Sequence, residues 1–324
     1  MSLAVLLAAI GMDSIIGYPD GLYRRVGHPV GWAARMIRAM TALIDRSELQ
    51  GAGRRLGGVV LMVVLVLVSG GSGWALSWLS RLAPGLWMVE AMAVASLLAG
   101  RSLVVHVRGV AGALQAGGVV AGRKAVAQIV GRDVSALDRA GVARAALESL
   151  AENASDGWTG PVLAYLAAGL PGLAIYKAVS TADSLIGYRS EPYRDLGWAA
   201  ARLDDLLNLI PARLTAVLLA LAAGRRCGTA MATARRDAHH HLSPNAGWPE
   251  AAMAGALGLR LGGPRSYGSE QLAGAWFGDG RPDADVTDIE RGLTLATRAW
   301  ALAVAVIAAA ALFSLSPPWA GPTP

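Results

Sequence analysis

The chain has 324 residues, of which 54% are hydrophobic and 16% charged, with a mean hydropathy of +0.44. Ordinary soluble domains carry about 25% charged residues, so the composition excludes disorder and argues against a soluble enzyme; the apolar excess lies in long uncharged runs, as in a polytopic membrane protein. The 29 Lys and Arg against 23 Asp and Glu leave a net charge of +6, but the basic residues flank the apolar runs without interleaved aromatics, which favours membrane orientation and no nucleic acid, and a single cysteine, Cys227, excludes an intrachain disulfide.

Met1 to Met12 is apolar but short, lacks a basic leader region and runs into Asp13, which reads as a retained first helix rather than a signal peptide. About 20 apolar residues cross a bilayer, and Leu56 to Ser80 does so without a charge. After a turn at Arg81 and Pro84, Leu82 to Gly100 follows with Glu90 as its one charge, so the two runs form a helical hairpin. Residues 101–152 mix alanine, glycine and charge, with helical periodicity over Asp133 to Glu148, and are expected as a cytosolic helical segment. Trp158 to Tyr176 is a third uncharged run, interrupted by Pro161 and Pro171-Gly172; Leu206 to Gly224 is a fourth, with Arg213 just after Pro211. Residues 225–298 are expected as a second cytosolic or interfacial segment, before a fifth run, Ala299 to Leu315, stops at Pro317-Pro318. The whole of 1–324 thus reads as one all-α, membrane-embedded domain: a polytopic helical bundle of about five spans, within a range of roughly four to seven, with cytosolic helical insertions.

Lys and Arg concentrate in cytoplasmic loops. Arg46, Arg54 and Arg55 precede the hairpin, only Arg81 lies at its tip, and Arg101, Arg108, Arg123, Lys124, Arg132, Arg139 and Arg144 follow it. The tip is therefore expected outside and residues 101–152 inside, where Arg225, Arg226, Arg235 and Arg236 also place the end of the fourth run. The expected location is the cytoplasmic membrane, with the functional groups facing the cytoplasm.

Charge within a membrane bundle is costly and marks function. In Glu148-Ser-Leu-Ala-Glu152-Asn153-Ala-Ser155-Asp156, the carboxylates recur every four residues on one helical face. They suit a cation such as Mg²⁺, or a solvated helix end with Asn153 and Asp156 as turn residues. Lys177, Thr181, Ser184 and Tyr188, followed by Arg189, form a polar stripe after the third run, fit for phosphate or an amide-rich ligand, or for hydrogen bonds between helices. In Arg202-Leu-Asp204-Asp205-Leu-Leu-Asn208, Asp204 and Asn208 share a face, and Arg213 beyond them needs a carboxylate or phosphate partner. Farther on, His239, His240 and His241 cannot all ligate one ion from a regular helix; Arg236 and one histidine facing an anion, with Ser243 and Asn245 fixing the turn, is the preferred reading. Neither a Walker-type phosphate loop nor a Rossmann glycine fingerprint is present.

The order of these motifs resembles the adenosylcobinamide-phosphate synthase family of cobalamin biosynthesis, the CobD/CbiB type of membrane protein. The likeness runs through His28-Pro29-Val30, Ile129-Val130-Gly131-Arg132-Asp133, Ala151-Glu152-Asn153 with Asp156-Gly157, and Tyr176-Lys177-Ala178-Val179. It continues through Asp183-Ser184, Gly187-Tyr188, Ala201-Arg202-Leu203-Asp204-Asp205, Pro211-Ala212-Arg213-Leu214, Ser243-Pro244-Asn245 and Ala254-Gly255-Ala256-Leu257-Gly258. Each piece is weak alone; their ordered succession over nearly the whole chain is specific. The chain departs in carrying Tyr18 before Pro19, where an acidic residue is common, with Asp20 just beyond, and only His241 of the three histidines aligns with the family's histidine.

The resemblance implies that a propionate carboxylate of adenosylcobyric acid is joined to the amine of aminopropanol or its O-phosphate, giving adenosylcobinamide or its phosphate. It also implies ATP as co-substrate, with Mg²⁺. On that basis Glu152, Asp156, Asp204 and Asp205 are expected to bind metal. Lys177, Arg189, Arg213 and Arg236 would bind phosphate, Thr181, Ser184, Tyr188, Ser243 and Asn245 would line the substrate site, and Glu148 or His241 would accept the amine proton. Trp158, Trp198 and Trp248 are candidates for packing on the corrin or for an interfacial belt. Beyond the lipid bilayer, a second copy or other cobalamin-pathway enzymes are possible partners. Two alternatives remain from the bare motifs: a Mg-dependent membrane prenyl or phospho-alcohol transferase, and a non-enzymatic corrinoid-binding sensor or transporter.

Overall fold

The computed structural model describes residues 3–18, 21, 24–25, 27–46, 49–188, 190–263, 265–267, 270–272 and 274–315. Among them the helices are α1 Leu3–Ile15, α2 Pro29–Arg46, α3 Ala52–Leu79, α4 Trp87–Leu97, α5 Gly100–Val126 and α6 Arg139–Ala154. A π-helical turn, Ser155–Thr159, leads into α7 Gly160–Ile186. The chain continues through α8 Trp198–Leu207, α9 Leu209–Ala222, α10 Cys227–Asp237, α11 Gly247–Leu257 and α12 Val286–Leu315. The strands are short: β1 Leu261–Gly262 pairs antiparallel with β4 Trp276–Phe277, and β2 Arg265–Tyr267 with β3 Glu270–Leu272. These lie in the second predicted insertion and leave the fold an all-α membrane bundle. Pro19 and Asp20 lie outside the described residues.

Four helical stretches are long and apolar enough to cross a membrane: Ala52–Leu79, Trp87–Val126, Arg139–Ile186 and Val286–Ser314; α8 and α9, meeting at 44°, make a fifth if taken together. In α3, Leu61, Met62 and Leu65 are buried while Val60, Val63 and Leu67 are exposed, the all-round apolarity of a helix in lipid. The predicted hairpin of two spans is not what forms: α4 has 11 residues, continues into α5 as one apolar stretch and packs chiefly on α1. Its single carboxylate is compensated: Glu90 is buried and accepts hydrogen bonds from Ser80 Oγ (2.6 Å), Tyr165 Oη (3.0 Å) and Ser77 Oγ (3.3 Å). The expected first helix, α1, packs on α4 and buries Val5, Leu6, Ala9 and Ile10.

Two long helices reverse direction. In a straight helix residues 160 and 176 stand about 24 Å apart, yet a Cβ added to Gly160 would lie 2.1 Å from Tyr176 Oη, and one on Gly172 2.6 Å from the Ala164 carbonyl oxygen. Helix α7 is therefore a hairpin, with a short arm over 160–167, a turn at Ala168–Gly169 and a long arm over 170–186. Gly169 has a φ of 67°, a conformation that a side chain would strain. Pro161 and Pro171 sit in the first turns of the two arms, where a missing N–H costs nothing. The uncharged run Trp158 to Tyr176 thus does not cross as one rod; its middle is the hairpin tip. Helix α5 reverses in the same way at Gly118 (φ 64°), bringing Gly122 against Leu114.

Small residues let the long arm lie close to α3: Gly73 meets Pro171 and Gly70 meets Ile175. The core has two parts. One gathers α1, α4 to α6, the short arm, α9, α11 and α12 around Leu147, Leu150, Tyr165 and Leu293. The other packs α2, α3, the long arm and α8 around Leu61, Leu65, Val179 and Leu196. Polar residues from elements of both parts form the site.

Candidate active site

The break between α4 and α5 is where the helices open. Ala99 N–H donates to the Gly157 carbonyl in the π turn at 3.0 Å, and Gly100 N–H donates to Asp13 Oδ2 at 3.1 Å. Backbone groups that a helix would have satisfied are thus met from α1 and the π turn. Such π turns are frequent at functional sites, and this one carries Asp156.

Side chains from three sequence-distant elements converge beside it. Asp156 lies within electrostatic reach of Glu152, Asp204 and Lys177. Asp204 in turn faces Asp183, Asp205 and Glu152, and Asp183 faces Asp205. Lys177 answers both Asp156 and Asp204. A hydrogen-bonded column holds the α8–α9 bend in register: Tyr176 Oη donates to Asn208 Oδ1 at 2.5 Å, and Asn208 Nδ2 donates to Asp204 Oδ2 at 3.0 Å. Asn208, buried at 1% exposure, therefore fixes which way one oxygen of Asp204 faces.

Among the described residues no group of three or more His, Cys, Asp or Glu side chains is arranged to hold a metal ion by itself. The donor chemistry nonetheless fits magnesium, which commonly takes one or two carboxylates and completes its shell with phosphate oxygens and water. Glu152, Asp156, Asp204 and Asp205, the residues expected as ligands, lie in one group with Asp183 and Lys177.

The remaining predicted residues divide. Thr181 Oγ1 donates to the Lys177 carbonyl (2.6 Å), Ser184 Oγ to the Ser180 carbonyl (2.9 Å) and Tyr188 Oη to the Ser184 carbonyl (3.2 Å), so these hydroxyl protons serve the helix itself. Arg189 lies outside the described residues. Arg213 donates to the Leu209 carbonyl at 2.8 Å, approaches Asn245 Oδ1 at 3.4 Å and lies over the Trp248 ring at 4.9 Å. Asn245 Nδ2 donates to the Asp205 carbonyl at 2.8 Å, and Ser243 Oγ accepts from Asn245 N–H at 3.2 Å. Ser243 and Asn245 thus anchor their loop onto the α8–α9 bend beside the carboxylates.

Three expectations meet other partners. Arg236 is held by Asp237, Nε to Oδ1 at 2.6 Å and Nη2 to Oδ2 at 2.8 Å, and by Asp279 at 2.5 Å; carboxylates, rather than a phosphate, complete its guanidinium. This pairing, with the Gly278 N–H, holds the Asp237 carboxyl below the usual carboxylate range. Glu148 is buried against Arg132 (2.9 Å) and accepts the Gly262 N–H (2.9 Å), which ties α6 to β1 and leaves it poorly placed to receive a proton. His241 Nδ1 accepts the Ser243 N–H at 2.9 Å, so its proton sits on Nε2, 3.6 Å from the buried Glu250 Oε1. Both of its nitrogens have partners. The tryptophans are also engaged: Trp158 is buried and stacks on Trp300 at 5.5 Å, and Trp198 lies under Arg55 at 3.8 Å.

Sequence reasoning gave no role to His28. It lies in the loop before α2, feels the Lys177 charge, accepts the Val30 N–H at Nδ1 (3.2 Å) and packs edge-on to Tyr18 at 4.6 Å. Burial and the neighbouring Lys177 push its pKa below the ordinary 6.5. Tyr18, the departure from the family pattern, donates to the Gly27 carbonyl at 2.6 Å and so shapes this loop. The one available signal was the His-Pro-Val motif itself.

Residues 6–296 match the family model described as CobD/Cbib protein. The "Cobalamin biosynthesis protein CobD" of Rhodobacter capsulatus is 47% identical over 316 residues, covering 97% of this chain and 99% of the relative. The protein of the same name from a Sinorhizobium species is 46% identical over 300 residues, covering 90% and 93%. That of Rhizobium meliloti strain 1021 is 44% identical over 317 residues, covering 96% and 97%. No solved structure matches.

Proposed function

The chain belongs to the CobD/CbiB family, with a role in cobalamin biosynthesis, and from that premise we propose that it is a ligase joining a propionate carboxylate of adenosylcobyric acid to the amine of aminopropanol or its O-phosphate. Amide formation from a carboxylate and an ammonium is unfavourable in water, so the carboxylate needs activation. ATP is the proposed co-substrate and Mg²⁺ the proposed ion, with one or two of Glu152, Asp156, Asp204 and Asp205 as its carboxylate ligands. Bound there, the ion would neutralise phosphate charge as the carboxylate is activated.

The observation that carries this reading is the grouping of carboxylates from α6, the π turn, the long arm and α8, two of which, Asp156 and Asp204, lie within electrostatic reach of Lys177. A like-charged group of acids fits a site whose ligand brings a cation, and a lysine among them fits one whose ligand also brings phosphate. The Lys177 ammonium would orient a phosphate oxygen and stabilise charge developing on the leaving phosphate. Asn208 would hold Asp204 in one orientation, and Asn245 would keep the 241–245 loop on the bend, so that the acids stand on packed helices. Trp158, Tyr176 and Asn208, all buried, would limit water beneath the site.

The test is mass spectrometry of purified protein in liposomes with adenosylcobyric acid, aminopropanol phosphate or aminopropanol, and Mg-ATP, with phosphate release measured in parallel. ATP-dependent amide product is expected, and its loss in a folded Asp204→Asn variant. Corrinoid binding without amide under every amine and nucleotide would overturn the ligase reading in favour of a binding or transport role; a requirement for a diphosphate substrate would overturn it in favour of a transferase.

A further inference from the structure

A cavity of about 420 Å³ opens on the other side of Asn153, between the first turns of α5, the 128–131 loop and α6. It is lined by Ser102, His106, Gln128, Ser149 and Asn153, all neutral hydrogen-bonding groups, and by the backbone of Gly131. A smaller hollow of about 110 Å³ shares its wall at Ile129, Val130, Gly131 and Ser149 and reaches Glu152. The main cavity is open to solvent on one side and large enough for a small amino alcohol.

His106, exposed at the mouth of this cavity, is held in a defined state. Its Nδ1 lies 2.7 Å from the Ser102 carbonyl oxygen, which can only accept, so Nδ1 carries a proton. In the neutral ring Nε2 is then an acceptor, and it has no hydrogen-bond partner among the described residues. His241 and Glu148, the groups expected to take a proton, are both engaged elsewhere. The charged groups around the cavity are mostly paired: Arg132 with Glu148, and Arg108 of α5 with Glu290 of α12 at 3.9 Å. Asp13 of α1 bonds Gly100, Arg101 donates to the Ser14 carbonyl, and Glu152 stands at the boundary with the acid cluster.

We infer that this cavity is the binding site for the ammonium-bearing substrate and that His106 Nε2 accepts the ammonium proton. The inference rests on the ligase reading above. In the step, R–NH₃⁺ gives one proton to Nε2, and the amine nitrogen attacks the carbonyl carbon of the activated propionate. The carbon–oxygen bond to phosphate breaks, and the second nitrogen proton leaves with the phosphate. The imidazolium then returns its proton to solvent through the cavity mouth. Gln128 and Asn153 supply hydrogen bonds for the hydroxyl or phosphate ester end, and Glu152 attracts the cation towards the activated carboxyl.

The experiment compares wild type, His106→Asn, His106→Ala and Ser102→Leu in liposomes. Direct titration with aminopropanol is expected to show binding to wild type and at least tenfold weaker binding to Ser102→Leu, which fills the cavity. His106→Asn keeps a donor for the Ser102 carbonyl. It is expected to melt like wild type, to keep the KM for the corrinoid and to lose on the order of 100-fold in kcat. Added imidazole should restore part of the rate of His106→Ala. Equal rates for His106→Ala and wild type, or absence of aminopropanol binding to wild type, would overturn the inference. Absence of amide from wild type, with aminopropanol still bound in the cavity, would instead overturn the ligase reading and the proton-acceptor role with it, leaving the binding site.

Discussion

Gly160→Ala tests the hairpin in α7 and the site it supports together. The new Cβ would fall 2.1 Å from Tyr176 Oη and 2.4 Å from its Cζ. Tyr176 has little freedom to retreat, since it is buried and its hydroxyl is bonded to Asn208. Forcing an extra carbon into a packed contact costs about 1–3 kcal/mol, and losing the Tyr176–Asn208 hydrogen bond about 1 kcal/mol more. Alanine in place of glycine returns about 1 kcal/mol of helix propensity, so the net expectation is a loss of about 1–3 kcal/mol. Gly112→Ala is the matched control, because a Cβ there meets nothing within 4 Å; it should gain up to about 1 kcal/mol. Thermal unfolding in detergent, followed by tryptophan fluorescence, reads both. In a Tyr176→Leu background the Gly160→Ala penalty should shrink, as coupling between touching residues requires. If Gly160→Ala proved as stable as Gly112→Ala, Tyr176 would not rest on Gly160 and the chain would not fold back at Gly169.

Glu148→Gln leaves Arg132 buried without its counter-ion, and removing one partner of such a pair costs about 3–5 kcal/mol; a large drop in melting temperature is expected, whereas lost turnover at unchanged stability would return Glu148 to the reaction. Arg236→Gln should lower the melting temperature by freeing Asp237 and Asp279 while leaving turnover unchanged, and lost turnover without loss of stability would contradict its carboxylate pairing. His28 resists protonation in the folded protein because its pKa lies below the ordinary 6.5. Its stabilising contribution is therefore complete above that pH and is lost as pH falls through the lowered folded value; His28→Gln should flatten the acid side of the stability–pH curve, and an unaltered curve would refute the assignment.

Composition and run length made the bundle legible, because an uncharged stretch such as Leu56 to Ser80 has few alternatives to a span, and α3 covers Ala52–Leu79. They could not reveal direction. Hydropathy averages over Trp158 to Tyr176 without registering that one glycine at positive φ turns the chain back, although Pro161 and Pro171 already marked where two helical arms begin. In the site, helical spacing grouped Glu152 with Asp156 and Asp204 with Asn208, but the meeting of these groups at Lys177 is a product of tertiary packing. The roles assigned to Glu148, Arg236 and His241 failed to anticipate their partners because Arg132, Gly262, Asp279 and Glu250 lie on other segments. His28 and His106 passed unnoticed for the opposite reason: each stands alone in sequence, without a spacing pattern to draw attention.

The hairpin tip at Ala168–Gly169 also bears on stability. A short arm of residues 160–167 rises only about 12 Å at helical pitch, too little to settle in a bilayer by itself. Its long partner carries Lys177, and the chain just before the short arm carries Asp156, groups within electrostatic reach of each other once folded. The short arm is therefore held by its packing against the long arm, through Gly160 on Tyr176 and Gly172 on Ala164. Asp156 and Lys177 each offset part of the other's cost of burial, so the groups that furnish the site also favour the folded hairpin that holds it.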